Sequence, residues 1–207
     1  MSLDGKIATR TNESRLSSQR DLRRVHMIRS QVDGIMVGLR TMLCDDPKLR
    51  VKYFHDNHPA RIVVDSKART PLDSYIVKTA SSTLTLIAVT TKAPQRRVKQ
   101  LQKAGVKILV CGNGPLVSLP VLMRRLRKLG IQRVLLEGGG TLNWGMLSQK
   151  LVDQVSVAIS PRILGGEHAV TLVEGDGALR IEDAIHLRLL GMKRYGDELV
   201  LNYRVLS

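Results

Sequence analysis

"QRVLLEGGGTLNWGML", residues 132–147, sets the reading of the whole chain. An apolar run ends in Glu137, three glycines follow, and from Thr141 the residues read as a helix over 141–149. A strand that passes through glycine into a helix points to a parallel sheet covered by helices. In such sheets ligands gather at the carboxyl ends of the strands. Glycine lets backbone approach a ligand closely, and the helix that follows offers free N–H groups and its positive dipole end to an anion. The spacing is neither GxGxxG nor a loop ending in GK[ST], so the usual dinucleotide fingerprint and the ATP loop are both set aside. A tight turn with a glycine-tolerant helix cap is the plainer alternative, although three consecutive glycines exceed what a turn needs. Glu137 either accepts hydrogen bonds from sugar hydroxyls or helps to cap the helix.

The same alternation runs outward from this stretch. Strands are expected at 33–38, 60–65, 84–90, 106–112, 132–138, 154–160 and 198–205, and helices at 18–31, 94–104, 116–129 and 141–149. In the first helix Leu22, Val25, Met27 and Ile28 recur at helical spacing behind the cap candidates Ser17 and Ser18. Pro94 opens the second and Gly105 closes it. The order implies an α/β chain with a mostly parallel central sheet and helices on both faces. No repeat, low-complexity segment or long linker divides it, so residues 1–207 are expected to be one domain.

Composition narrows the function. Lys and Arg number 33 against 18 Asp and Glu, a formal charge of +15. No acid occurs from Ser74 to Leu136, where Lys92, Arg96, Arg97, Arg124 and Arg127 are among the cations. Charge runs of this kind are usually solvated helix faces. The functional alternative is a field that draws in phosphorylated small molecules or nucleic acid. With one Trp, one Phe and four Tyr the chain is poor in base-stacking side chains. There is no apolar run of membrane-spanning length and no secretion signal at the start. Cys44 and Cys111 make no CxxC and, with five scattered histidines, no zinc pattern, so a reducing cytoplasm and no metal are expected.

Three further stretches carry chemistry. In "VGLRTMLCDDPKLRV" (37–51) Thr41 and Asp45 lie four apart and share one face of a helical turn, suited to cofactor hydroxyls and amide, while Asp46-Pro47 reads as a helix stop. In "MSLDGKIAT" (1–9) Asp4-Gly5 signals a tight turn, and Lys6 beside it is either solvated or aimed at a phosphate or sugar oxygen. In "VVDSKARTP" (63–71) a strand ends before Ser66, Lys67 and Arg69, a hydroxyl and two cations that form a weak candidate phosphate clamp.

Taken in order, "SLDGKIA", "GIMVGLRTMLCDDPKL", "RIVVDSKARTP", "LLEGGGTLNWGML" and "ISPRILGG" resemble the stand-alone archaeal and fungal reductases of riboflavin biosynthesis, and the chain is similar to the C-terminal domain of the bacterial bifunctional deaminase-reductase. The resemblance spans nearly the whole chain. It implies a dihydrofolate-reductase-like fold, a homodimer, and NADPH-dependent reduction of the ribosyl side chain of a diamino-pyrimidinone 5′-phosphate. By the same resemblance Thr41, Asp45, Val64, Ser66, Gly138, Gly139, Gly140 and Thr141 fall at cofactor positions. Ser14, Arg29, Leu49, Lys52 and Glu137 fall at substrate positions, and Lys6 and Glu137 are the catalytic candidates. This sequence departs from the bacterial form at Leu16, where that form has an aromatic, and at Lys52, where it has an arginine. No HxE…PCxxC deaminase signature is present, which implies action on the diamino substrate before deamination. Two other readings stand beside this one. A related oxidoreductase acting on another pteridine or pyrimidine would keep the cofactor residues and lose the sugar-phosphate ones. A basic nucleic-acid-binding module would show strong, salt-dependent affinity. The segment 151–166 is the expected dimer interface.

Overall fold

The computed structural model describes residues 1–55 and 58–206. They form two compact units, one of Val25–Gly139 and one of Met1–Arg24 with Gly140–Ser207.

The unit Val25–Gly139 is built on a parallel sheet of five strands: β1 (Gly34–Gly38), β2 (Ala60–Val64), β3 (Thr85–Val89), β4 (Lys107–Val110) and β5 (Val134–Leu136), in spatial order β4-β3-β2-β1-β5. The central strands read GIMVG, ARIVV and TLIAV, and Ile35, Met36, Ile62, Val63, Leu86 and Ile87 are fully buried. Continuous apolar strands of this kind belong to sheets covered on both faces. Between the strands run α2 (Leu39–Asp45), the single turn α3 (Tyr75–Lys78), α4 (Gln95–Lys103) and α5 (Leu119–Lys128). Leu101 of α4 joins the core cluster, and Leu122 and Leu126 of α5 are fully buried, while their cations other than half-buried Arg97 are exposed. Burial of each leucine contributes about 2 kcal/mol. Asp33 fixes the start of β5 against β1 by accepting the N–H groups of Gln132 (2.9 Å) and Arg133 (2.7 Å).

The unit Met1–Arg24 with Gly140–Ser207 holds α6 (Gly140–Ser148) and an antiparallel sheet of β6 (Gln154–Ile159), β7 (Leu187–Tyr195) and β8 (Glu198–Val205), in order β6-β8-β7. The expected strands 154–160 and 198–205 therefore exist but leave the parallel sheet. β7 and α3 were not expected. β7 hides its alternation behind a bulge between Leu189 and Gly191, which inserts Leu190 and shifts the side-chain period. α3 is four residues long, too short for a helical period to show.

Helix α1 (Gln19–Arg29) carries the chain from one unit into the other. Ser18 caps it, its Oγ accepting the Asp21 N–H at 3.2 Å. Its apolar face is only partly buried, with Val25 and Ile28 half-buried. Leu22 and Met27 are 38% and 40% exposed, whereas Asp21 is 2% exposed and pairs with Arg24 at 2.8 Å.

Candidate active site

The carboxyl edge of the parallel sheet brings four sequence candidates together. Val64 at the end of β2 is registered against Gly38 at the end of β1. The Gly38 N–H donates to the Gly138 carbonyl at 2.9 Å, and the Glu137 N–H donates to the Met36 carbonyl, also at 2.9 Å. The strand pairing thus runs on past β5 into the glycines. α2 starts directly after Gly38 and places Thr41 in its first turn.

The three glycines serve different purposes. Gly138 has φ of 94°, a left-handed conformation that side chains resist. A Cβ on Gly140 would lie 2.7 Å from both Glu174 Cγ and the Thr171 carbonyl, so that glycine is there for packing. Among the described residues a Cβ on Gly139 would meet only Thr41 Oγ1, at 3.6 Å, so its missing side chain leaves space that those residues do not fill.

Two further cofactor candidates of this unit are Asp45, at the end of α2, and Ser66, just after β2. Asp45 ends α2 on the exposed side, one turn on from Thr41. Asp46 is the left-handed C-cap (φ 38°), and its carboxylate accepts the Tyr75 N–H at 3.0 Å, which makes it a joint between α2 and α3. Ser66 Oγ accepts the Val117 N–H at 3.0 Å, so its hydroxyl already holds the loop before α5. Lys67 and Arg69 are exposed. Their turn is held from beneath by two residues the sequence reading passed over. Buried Asp65 accepts the Thr70 N–H and hydroxyl at 2.6 and 2.8 Å, and Arg97 donates to the carbonyls of Ala68 and Thr70 at 3.1 and 2.7 Å.

Glu137 and Arg29 form a fork-to-fork pair. Arg29 Nε and Nη2 donate to the two Glu137 oxygens, each at 2.6 Å. The side chains are 16% and 18% exposed. Arg29 Nη1 donates to the Arg50 carbonyl at 3.0 Å. A guanidinium has five N–H donors, so these three bonds leave two for a ligand. Leu49 has φ of 44° and a fully buried side chain within the core cluster, so what it offers a ligand is main chain. Lys52 is exposed, with its ammonium 5.0 Å from the centre of the Tyr53 ring.

The other unit holds Lys6, Ser14, Gly140 and Thr141. Lys6 bridges to Thr171 in an antiparallel pair and its Nζ donates to the Ala169 carbonyl at 3.4 Å. The same segment reaches α6, because the Glu174 N–H donates to the Gly140 carbonyl at 3.1 Å. Thr141 Oγ1 donates to Glu174 Oε2 at 3.3 Å, a carboxylate at a helix start that no sequence pattern announced. Ser14 lies exposed in the loop before α1. Asp4 is structural. Its carboxylate accepts the N–H groups of Leu164 (3.1 Å) and Gly165 (2.7 Å), which ties "SLDG" to "RILGG". Its pKa is lowered to about 2, first by the Ser2 hydroxyl and then by those N–H groups.

Comparison with known proteins matches residues 1–201 to the RibD C-terminal domain. The chain belongs to the RibD C-terminal domain family. It is 45% identical over 208 residues to the 2,5-diamino-6-ribosylamino-4(3H)-pyrimidinone 5′-phosphate reductase of Methanothermobacter thermautotrophicus, covering 99% of this chain and 94% of that one. It is 38% identical to the riboflavin biosynthesis protein RibD of Actinobacillus pleuropneumoniae, covering all of this chain but 55% of that protein. The chain thus spans about half the length of the RibD protein. Acinetobacter baumannii RibD superposes with a TM-score of 0.84 at 23% identity, over 99% of this chain and 55% of that one. The fold is α/β and dihydrofolate-reductase-like, as the sequence implied.

Proposed function

We propose that this chain reduces the ribosyl side chain of 2,5-diamino-6-ribosylamino-4(3H)-pyrimidinone 5′-phosphate to the ribitylamino product, with NADPH, in riboflavin biosynthesis. The reading is carried by the Arg29–Glu137 pair beside Gly138–Gly139, in a chain 45% identical along nearly its whole length to a reductase named for that substrate. The residues present fit a dinucleotide. Gly139 leaves open space next to the Thr41 hydroxyl, and Lys67 and Arg69 are exposed cations suited to a 2′-phosphate, which favours NADPH over NADH.

When bound, the nicotinamide supplies a hydride to C1′ of the ring-opened sugar imine, and a proton completes the amine. The chain itself needs little acid-base machinery, and its contribution is placement. Arg29 holds the Glu137 carboxylate in one orientation, where its remaining lone pairs accept ribose hydroxyls. The two spare Arg29 N–H groups and the Lys52 ammonium meet the phosphate. Ser14 and the Leu49 main chain border the substrate. By the family resemblance Val64, Thr41, Asp45, Ser66, Gly138 to Gly140 and Thr141 are the cofactor residues, and Lys6 is the proton donor, directly or through water.

We infer that residues 1–207 act as one reductase domain, in keeping with a family match that runs through both units. Homodimerisation is supported by β7, where Leu187, Leu189, Leu190 and Met192 are 43–62% exposed. The segment 151–166, the interface expected from sequence, has only Ile163 as a large exposed apolar side chain. A cytoplasmic location is supported by two unpaired cysteines, Cys44 exposed and Cys111 buried.

The test is loss of reduced-nicotinamide absorbance with the diamino-ribosylamino phosphate, its deaminated analogue and dihydrofolate side by side. Turnover of the diamino compound is the expected result. Preference for the deaminated compound reverses the order of the two steps, and turnover of dihydrofolate alone overturns the substrate assignment. A second expectation concerns Glu174, whose charge stands against Thr141 at the start of α6. Glu174→Gln keeps an acceptor and removes the charge, so the KM for NADPH should fall about threefold, the scale of one partly screened charge contact. A rise in that KM would show that the diphosphate is bound elsewhere.

A further inference from the structure

His26 lies one turn before Arg29 on α1, so the two side chains leave the same face of its last turn. Arg29 Nη1 donates to the Arg50 carbonyl at 3.0 Å, and the Lys52 N–H donates to His26 Nδ1 at 3.1 Å. In an extended chain the carbonyl of one residue and the N–H two residues on point the same way. The last turn of α1 therefore staples residues 50–52 at two successive points. The His26 ring also meets Tyr53 edge to face, with centroids 5.1 Å apart and planes at 86°. The Lys52 ammonium rests 5.0 Å from the centre of the same Tyr53 ring. His26 thus fixes both the main chain of Lys52 and the ring its cation lies on.

We propose that His26 is a positioning residue for the substrate's phosphate: as a neutral imidazole it accepts the Lys52 N–H and so sets where the Lys52 ammonium meets that phosphate. This deepens the function proposed above and rests on it. An imidazole that accepts at Nδ1 carries its one hydrogen on Nε2. Protonation places a second hydrogen on Nδ1, facing the Lys52 N–H, and the bond is lost. The surroundings hold the ring neutral. Burial pushes the His26 pKa below its ordinary value, the Arg29 and Lys52 cations push the same way, and the Glu137 carboxylate and the Arg50 carbonyl oppose them. Tyr53 is the remaining titratable contact. The staple is accordingly present above the ordinary histidine range and is lost as pH falls through the lowered value.

Two variants separate positioning from mere packing. His26→Asn keeps an acceptor near the place of Nδ1 and cannot titrate, whereas His26→Leu removes the acceptor. At about pH 8, well above the histidine range, His26→Leu should raise the KM for the phosphorylated pyrimidine about fivefold to tenfold, the worth of one hydrogen bond, with kcat and the KM for NADPH unchanged. His26→Asn should stay within about twofold of the parent protein. As pH falls below the ordinary histidine range and through the lowered His26 value, the parent KM should rise more steeply than that of His26→Asn. The phosphate's own second ionisation, near pH 6, is common to both and drops out of the difference. Superimposable pH profiles for the parent and His26→Asn, or an unchanged substrate KM in His26→Leu, would overturn the proposal. Lys52→Ala is the control for the underlying reading. If it leaves the preference for phosphorylated over dephosphorylated substrate intact, Lys52 does not meet the phosphate, and the placement of the site fails whatever the His26 variants do. If Lys52→Ala weakens that preference and the His26 variants do nothing, only the role of His26 fails.

Discussion

Arg29→Ala is expected to raise the KM for the phosphorylated pyrimidine about a hundredfold while leaving the KM for NADPH within about twofold. The size follows from what Arg29 does. It makes both hydrogen bonds to Glu137 and a third to the Arg50 carbonyl. In the proposed site its removal would strip the phosphate of a charged donor, and it leaves the mostly buried Glu137 carboxylate without this partner. Truncating one member of such a pair costs about 2–5 kcal/mol, much of it from the charge left behind. The folded state should lose stability as well, so thermal denaturation belongs beside the kinetics. Arg29→Lys keeps the charge and loses the planar fork, and it should fall between the two. Equal rises in both Michaelis constants would place Arg29 outside the substrate pocket.

Gly139→Val is expected to have the complementary signature, a KM for NADPH raised at least about tenfold with the pyrimidine KM little changed. The structure makes this a clean test. At Gly140 a side chain would strike Glu174 and Thr171, and at Gly138 it would strain the backbone, so either change would unsettle the fold itself. At Gly139 a Cβ finds, among the described residues, only the Thr41 hydroxyl, at an ordinary contact distance. The protein accommodates the added Cβ, whereas a dinucleotide bound as proposed would not. Gly139→Ala should show the same direction on a smaller scale. An unaltered NADPH constant in the valine variant, in a protein of parental melting temperature, would remove the glycine segment from the cofactor site.

The sheet was legible wherever a strand is buried on both faces, because its apolar run is then unbroken. GIMVG, ARIVV and TLIAV were each found within a residue or two of their ends. β7 was not, because a strand with one solvent face depends on strict alternation, and the bulge at Leu190 destroys it. Helix α1 was found, with Val25 and Ile28 half-buried, but its one fully buried residue is Asp21, paired with Arg24, which periodicity did not mark. At the site, the segment from Glu137 to Thr141 announced itself by composition. The division of labour among its glycines did not, for it depends on Thr41, Thr171 and Glu174, distant in sequence. His26 and Glu174 were missed for the same reason. A lone histidine in a basic helix and a lone acid in a loop acquire meaning only from the main chain and hydroxyl brought against them.

β7 has a consequence beyond the site. It is an edge strand of its sheet, and Leu187, Leu189, Leu190 and Met192 are exposed along it. An uncapped edge of that kind is a template for any other extended chain unless a partner covers it. If a second copy does so, folding and association become one equilibrium, and resistance to heat depends on how much protein is in the tube. Dilution then does what a destabilising mutation does, and a charged residue at Leu189 or Met192 would mimic dilution at any concentration.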